Sequence, residues 1–497
     1  MLRKIRIVFA TIFFIGITLL FLDITGATHA WLGWMAKVQF LPALMALNVG
    51  VIAVLVALTL VMGRVYCSVI CPLGVMQDIM SWLGGRGKKR RYRFSYSPAM
   101  TWLRMTVLVL FVLAIVFGIS SFVALLAPYS SYGRIVSNLF SPVYVRVNNL
   151  LADIAEHFDS YAFYSREVWI RSASVFAVAA LTFVILFVLA WRNGRTYCNT
   201  VCPVGTVLGF LSRFSLLKIN IDSEKCNACG LCSRRCKAAC IDGKNHIIDY
   251  SRCVACFDCV DTCTHGAISY GLRRKSAKTV SEPESGEADS SRRSFITVTA
   301  ALAGAAAMKA ADKTVDGGMA VILDKQIPER KTPIVPPGAK SLKNVADRCT
   351  GCQLCVQACP NGVLRPSGGV LTLMQPTSSY ERGYCRPECT ACSDVCPAGA
   401  IEKIDVAEKS SIQIGHAVWI RKNCIPVVNG DSCGNCARHC PVGAITMVPL
   451  RPGKEDSPKI PAVNTERCIG CGACENLCPA RPFSAIYVEG HEVHRKI

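Results

Sequence analysis

The sequence predicts an α-helical membrane domain of four transmembrane helices, with a fifth segment as candidate, joined to small α+β domains folded around cysteine runs. Three observations carry this expectation. Four long apolar runs fall before Trp191, the 29 cysteines recur at regular short spacings, and a twelve-residue repeat closes the second and fourth apolar runs. An odd number of evenly spaced cysteines does not read as an extracellular disulfide framework. The net charge of +21 admits nucleic acid as a partner. No basic stripe interleaved with aromatics is present, however, and much of the positive charge flanks apolar runs, where membrane topology accounts for it.

The apolar runs span residues 7–24, 40–63, 105–128 and 172–191. Each is near the roughly 20 residues needed to cross hydrocarbon. Orientation follows from Lys and Arg. Arg3, Lys4 and Arg6 precede the first run, and Arg86, Lys88, Lys89, Arg90, Arg91 and Arg93 follow the second, whereas the loop after the first run has only Lys37. Both ends of this unit, residues 1–217, are therefore expected in the cytoplasm. The loop 129–171 is expected outside, as an interfacial helix.

The repeat reads GRVYCSVICPLG and GRTYCNTVCPVG and supplies Cys67, Cys71, Cys198 and Cys202. On a continuous helix, positions i and i+4 share a face, so each pair presents two thiols on one side. Two such ends brought together offer four sulfurs, the number a [4Fe–4S] cluster takes. Arg64 and Arg195 are expected to lower the thiol pKa. A shared metal or cluster site, dithiols that cycle as disulfides and structural buried thiols all remain open.

Residues 218–272 contain KCNACGLCSRRC and RCVACFDCVDTC, each with the Cys-x2-Cys-x2-Cys-x3-Cys run of a bacterial-ferredoxin-like domain. Three cysteines on a tight loop hold one cubane, and the fourth reaches the neighbouring one. Cys226, Cys229, Cys232 and Cys263 are assigned to one site, and Cys253, Cys256, Cys259 and Cys236 to the other. Structural zinc is the competing use of four cysteines. Lys237 and Thr264 stand where Pro is usual, and Cys240 is extra and could displace Cys236 as ligand; since 29 is seven fours plus one, Cys240 is the candidate spare.

Residues 273–345 read as a linker. Within it SRRSFI, residues 291–296, resembles the twin-arginine export motif. The segment 294–308 would be about 22 Å long as a helix, short for a membrane core but ample for a signal h-region. Residues 291–311 are thus an internal signal or anchor, which places the C-terminal domain outside; the competing reading is a linker helix that leaves that domain in the cytoplasm. Residues 346–497 hold four runs: Cys349, Cys352, Cys355 and Cys359; Cys385, Cys389, Cys392 and Cys396; Cys424, Cys433, Cys436 and Cys440; Cys468, Cys471, Cys474 and Cys478. Neighbouring runs could pair, or the runs could nest, first with fourth and second with third. Strands are expected at 400–404 and 444–448. No nucleophile triad or glycine-rich nucleotide fingerprint is evident, so the chain reads as an electron-transfer subunit without substrate chemistry of its own.

Residues 1–272 resemble the NapH-type membrane ferredoxins, through the paired Cys-x3-Cys-Pro motifs and the two-cluster domain after them. Residues 291–497, through PPGAKSLKNVADRCTGCQLCVQACPNGVL and the wide third run, resemble the NapG/MauM-type ferredoxins. The resemblance implies six [4Fe–4S] clusters, with a seventh at the Cys-x3-Cys-Pro pairs, in a multi-pass protein of the bacterial cytoplasmic membrane. It implies quinol oxidation, as in a quinol dehydrogenase component, and electron relay between the quinone pool and a redox partner protein or reductase. It also implies nested pairing, with Cys478 joining Cys349, Cys352 and Cys355, and Cys396 joining Cys424, Cys433 and Cys436. A factor that supplies electrons for maturing another metalloenzyme is the second functional reading. His29, Trp31 and Trp34 are the candidates for contact with quinone, against the simpler role of an interfacial aromatic anchor.

Overall fold

The computed structural model describes the chain except residues 24–25, 87–93, 161–162, 167–168, 273–314, 317–319, 322–323 and 455–456. The basic residues Lys88 to Arg91 and Arg93, the twin-arginine motif and the candidate fifth span lie outside the described residues.

Two of the four expected spans are continuous helices of 21 residues, α1 (Leu2–Leu22) and a later helix Ala173–Asn193; they are the two helices, among the described residues, long and apolar enough to cross a membrane. The other two expected spans are broken. The second divides into α2 (Phe40–Met45) and α3 (Val49–Met62), because Leu47 turns left-handed at φ 53° and Asn48 caps the new helix by accepting from Val51 N at 3.2 Å. After the first repeat comes α4 (Pro72–Gly84). The third expected span divides at Gly118, φ 69°, into α5 (Thr101–Val116) and α6 (Ser120–Leu126). At about 1.5 Å per residue α3 and α5 are about 21 and 24 Å long, short of a core of about 30 Å.

After α6 the chain turns back through α7 (Pro128–Ile135) and a π turn (Val136–Phe140) into α8 (Ser141–His157). The loop expected outside therefore begins within the bundle. All of α7 is buried, its Tyr132 hydroxyl 2.6 Å from Thr18 Oγ1 and its Arg134 Nη2 donating to Thr182 Oγ1, midway along α9 (Ala173–Asn193), at 3.3 Å. α8 instead exposes Val143, Val147, Leu150 and Ile154. That apolar stripe is the one expected of an interfacial helix.

The ends of the bundle carry different lobes. At one end sit residues 217–272, where β1 (Leu217–Ile221) pairs antiparallel with β2 (Ile268–Leu272). At the other sits the segment from residue 324 onward, with β3 (Ile412–Trp419) antiparallel to β4 (Ile486–Lys496). α5 fixes this arrangement: its Arg104 Nη1 donates to Ser251 Oγ at 3.1 Å, while Gly118 beyond its far end lies beside Asp347. α9 repeats it, with Ser174 against Gly368 at its start and Arg195 N donating to Lys237 O at 2.8 Å just past its end. The expected strand at 444–448 is present as Ile445–Pro449, but 400–404 is not a strand. There Glu402 N finds Gly338 O at 2.9 Å, and no ladder continues from it.

The first lobe is tied to the bundle by buried charge. Asp78 accepts from Arg195 Nε at 2.7 Å and pairs with Arg6 at 2.9 Å and Lys237 at 3.0 Å; Lys237 also pairs with Asp258, which reaches Arg3 at 2.8 Å. Burial by itself would raise the Asp78 carboxyl, but Arg195, Lys237 and Arg6 outweigh it and hold the group well below the usual carboxylate range. A depressed folded pKa means that the contribution is complete above about pH 4 and is lost as pH falls toward the folded value. Asp78→Asn leaves Arg6 and Arg195 without their anion and Lys237 with Asp258 alone, and should cost about 3–5 kcal/mol, read as lost hydrogen-exchange protection across β1 and β2 in detergent at pH 7.

Candidate functional site

The cysteine loops share one backbone device. In each Cys-x2-Cys-x2-Cys loop the second and fourth residues after the first cysteine are left-handed: Ala228 and Gly230, Ala255 and Phe257, Gly351 and Gln353, Gly470 and Gly472. Such alternation makes a concave nest of backbone N–H groups, suited to an anionic centre. Thiols accept these bonds: Gly351 N donates to Cys349 Sγ at 3.4 Å, Ala444 N to Cys440 at 3.2 Å and Ala485 N to Cys478 at 3.3 Å. A further left-handed residue, three past the last cysteine of a run, redirects the chain at Ala239, Gly266, Gly362, Gly399 and Gly443. Sequence reading missed this position, although four of the five are visible as glycine.

Thiols gather in fours around cavities. Cys226, Cys229, Cys232 and Cys263 line one of 420 Å³. Cys253, Cys256 and Cys259 gather with Cys236. Cys240 joins them, its sulfur 3.5 Å from that of Cys236. The hydrogen bond with Cys240 lowers the Cys236 thiol to about 7, while the bonds to Cys236 and Cys253, with burial, push Cys240 well up.

In the second lobe the nested pairing is overturned. Cys349, Cys352 and Cys355 share a 400 Å³ cavity with Cys396, and Cys359 joins Cys385, Cys389 and Cys392 around 370 Å³. Cys478 joins Cys424, Cys433 and Cys436 around 330 Å³, and Cys440 faces Cys468 and Cys471, with Cys474 beside them. The cause is local. The hairpin Leu364–Pro366/Pro376–Ser378 folds the second run back on the first, and Ile445–Pro449/Lys459–Val463 does so for the fourth and third. The two halves meet where Cys385 N donates to Cys471 O at 2.9 Å.

The repeated motif forms a site of another kind. Cys67 lies in the one-turn helix Val65–Val69, and Cys71 caps α4; Cys198 lies in Thr196–Thr200, and Cys202 caps α10 (Pro203–Ser212). No continuous helix carries a pair, because Pro72 and Pro203 hold the preceding cysteine extended. All four thiols are buried and in electrostatic contact with one another. The two repeats clasp each other reciprocally. Arg64 Nη2 donates to Cys198 O at 3.3 Å, and Arg195 Nη1 donates to Cys67 O at 2.7 Å. The glycines ending each motif admit this: a Cβ on Gly74 would lie 2.2 Å from Cys67 O, and one on Gly205 2.3 Å from Cys198 O. Gln77 Nε2 donates to Cys198 Sγ at 3.3 Å, a contact no motif announced, since Leu208 stands at the matching place in the second repeat. The arginines do not depress these thiols as expected. Burial pushes Cys71, Cys198 and Cys202 up, and Arg195 and Arg64 pull Cys198 back only part of the way.

Comparison with known proteins finds three iron–sulfur families along the chain. A model described as a 4Fe-4S binding domain matches residues 43–91 and 175–222, which include the two Cys-x3-Cys-Pro motifs. Two models described as 4Fe-4S dicluster domains match 348–401 and 431–481, one over each neighbouring pair. The ferredoxin-type protein MauM of Paracoccus denitrificans is 32% identical over 157 residues, and the ferredoxin-type protein NapG of Escherichia coli is 33% identical over 156. The chain carries 4Fe–4S ferredoxin-type domains and is homologous to the NapG and MauM ferredoxin-type proteins. A putative electron transport protein, YccM of Escherichia coli, is 25% identical over 238 residues. These alignments cover 29%, 29% and 48% of this chain and 66%, 64% and 59% of MauM, NapG and YccM, so the chain spans about two thirds of their length or less. No solved structure matches. The donor sets fit iron–sulfur cubanes: four thiols surround each cavity, with backbone N–H groups aimed at sulfur.

Trp31 is 80% exposed and Trp34 about half, the disposition of an anchor more than of a ligand pocket. The pairing is testable by EPR of the reduced protein. Cys478→Ser should alter the signal of the site it shares with Cys424, Cys433 and Cys436, as Cys433→Ser does, and leave the one altered by Cys349→Ser unchanged. Gly205→Ala should abolish whatever the four motif thiols hold while the lobes keep their iron, measured as iron per chain.

Proposed function

We propose that the chain is a membrane-bound iron–sulfur electron-transfer protein relaying electrons between the quinone pool and a redox partner protein, with the first lobe in the cytoplasm and the second outside. The domain plan is a membrane unit 1–217, a two-cluster domain 218–272, a linker 273–345 and a four-cluster domain 346–497. One observation carries the reading: a single continuous buried core holds thiols of both lobes and of the repeated motif between them.

A cubane, when bound, takes up and gives back one electron. The six sets of four grouped above would hold six, and Cys67, Cys71, Cys198 and Cys202 a shared seventh site. The chain's part is to bring these sites near one another and keep water out. A layer of about 30 Å is too thick to bridge without an intermediate centre. The broken helices thin it. Tyr197 Oη, beside Cys198, donates to Leu126 O at 2.9 Å at the inner tip of α6. Three residues on, Tyr129 is buried against Phe21 with ring centroids 5.7 Å apart and lies beside Cys352. One turn later Gly133 lies so close to Cys352 O that a Cβ would approach to 2.4 Å. The first repeat mirrors this, with Tyr66 Oη accepting from Phe40 N at 3.0 Å at the inner tip of α2.

A reporter fused after Ile497 should be active only outside, and replacing Arg292 and Arg293 by Lys should trap it inside; unchanged export refutes the twin-arginine reading. Deletion of the chain should stop turnover of its partner enzyme while leaving that enzyme's cofactor in place. Loss of the cofactor favours a maturation factor instead.

A further inference from the structure

A cavity of 530 Å³ opens where the π turn, α8 and the start of α9 meet the second lobe. We propose that it binds the ring of a quinone-class lipid, an inference that rests on the electron-transfer reading and gives its membrane-soluble partner a place.

The polar end is built from both partners of the junction. Gln357 Nε2, on α11 (Leu354–Ala358), donates to Ser137 O at 3.0 Å. Asn138 Nδ2 donates to Arg134 O and to Gln353 Oε1, each at 2.9 Å. These bonds fix the Gln353 amide by its oxygen and leave its Nε2 without a partner, although the residue is only 3% exposed. Ser137 Oγ is likewise unpartnered in a residue 9% exposed. Both residues line the cavity. Buried donors without acceptors are costly and uncommon, so two in one cavity point to a ligand that brings acceptor oxygens. Ser137 and Asn138 sit on the π turn, a local distortion found mostly at functional sites.

Val145 of α8 and Phe176 of α9 add apolar surface to the lining. α8 exposes its apolar stripe beside this opening, as a helix lying in a lipid surface does. The cavity also adjoins thiols. Gln353 follows Cys352, and Arg171 on its wall faces Cys359 and Cys355. A flat ring with carbonyl or hydroxyl oxygens and an apolar tail meets all of these demands at once. A phospholipid ester offers the same acceptors without the ring.

The test uses the full chain in nanodiscs of defined phospholipid. The probe is 2-heptyl-4-hydroxyquinoline N-oxide, titrated by the quenching of its fluorescence, with a photoreactive azidoquinone mapped by mass spectrometry. Ser137→Leu fills the cavity from the bundle side and should weaken binding at least tenfold. Gln353→Asn keeps a residue that accepts the left-handed backbone but withdraws the amide, and should weaken it several-fold. Iron content and EPR signals should not change in Ser137→Leu. Labelling should fall within 136–145 or 353–357. Unchanged affinity in Ser137→Leu, labelling confined to 29–34, or azidoquinone labelling that excess phospholipid abolishes would overturn the proposal. Binding that persists in a chain devoid of iron would instead sustain the pocket and sink the electron-transfer reading.

Discussion

The reciprocal clasp of Arg64 and Arg195 is the constraint on which the rest of the molecule depends. Each guanidinium leaves its own repeat and bonds the first cysteine carbonyl of the other, so neither motif can be placed without its twin. Both side chains are almost wholly buried, at 0% and 1% exposure. Arg195 has Asp78 as a counter-charge, whereas Arg64 is held by Asn199 Oδ1, Ser251 O and Cys198 O. A buried cation bonded to neutral groups is costly.

From that clasp the broken helices follow. The tyrosine next to the first cysteine of each repeat binds main chain where a helix has turned back into the bundle, Tyr66 at Phe40 and Tyr197 at Leu126. A continuous helix has no free carbonyl or amide to offer there, because its own ladder uses them. Phe40 N opens α2 and Leu126 O closes α6, helix-end groups that no ladder uses and that the tyrosines satisfy. The same breaks bring α7 inward and set Tyr129 and Gly133 against the Cys352 loop, which brings the second lobe close to the motif thiols. Irregular backbone is tolerated there because surrounding protein supplies partners for its polar groups.

The lobes depend on a different economy of form. Left-handed residues at fixed offsets aim N–H groups at sulfur, and short hairpins return each cysteine run to its neighbour. Phe257 and Gln353 adopt this conformation without being glycine. Strain of that kind is stored where the surroundings impose it, commonly at functional sites. In Gln353 the same residue also closes the junction cavity, so the geometry that shapes a thiol nest fixes the amide that faces the cavity.

By itself the sequence determined the chemistry and its spacing. Cys-x2-Cys-x2-Cys keeps Cys226, Cys229 and Cys232 on one short loop, while Cys263 reaches their cavity from the other run. The apolar runs and the repeat were equally legible, being one-dimensional patterns. Tertiary structure decided what depends on distant partners. Hydropathy cannot reveal that Leu47 and Gly118 interrupt two apolar runs, since the residues on both sides remain apolar. Spacing cannot choose between adjacent and nested pairing; two hairpins do, and they overturn the pairing taken from resemblance. Nor could composition show that burial outweighs Arg64 and Arg195 at the motif thiols, because desolvation is a property of the packed neighbourhood and of no residue in it.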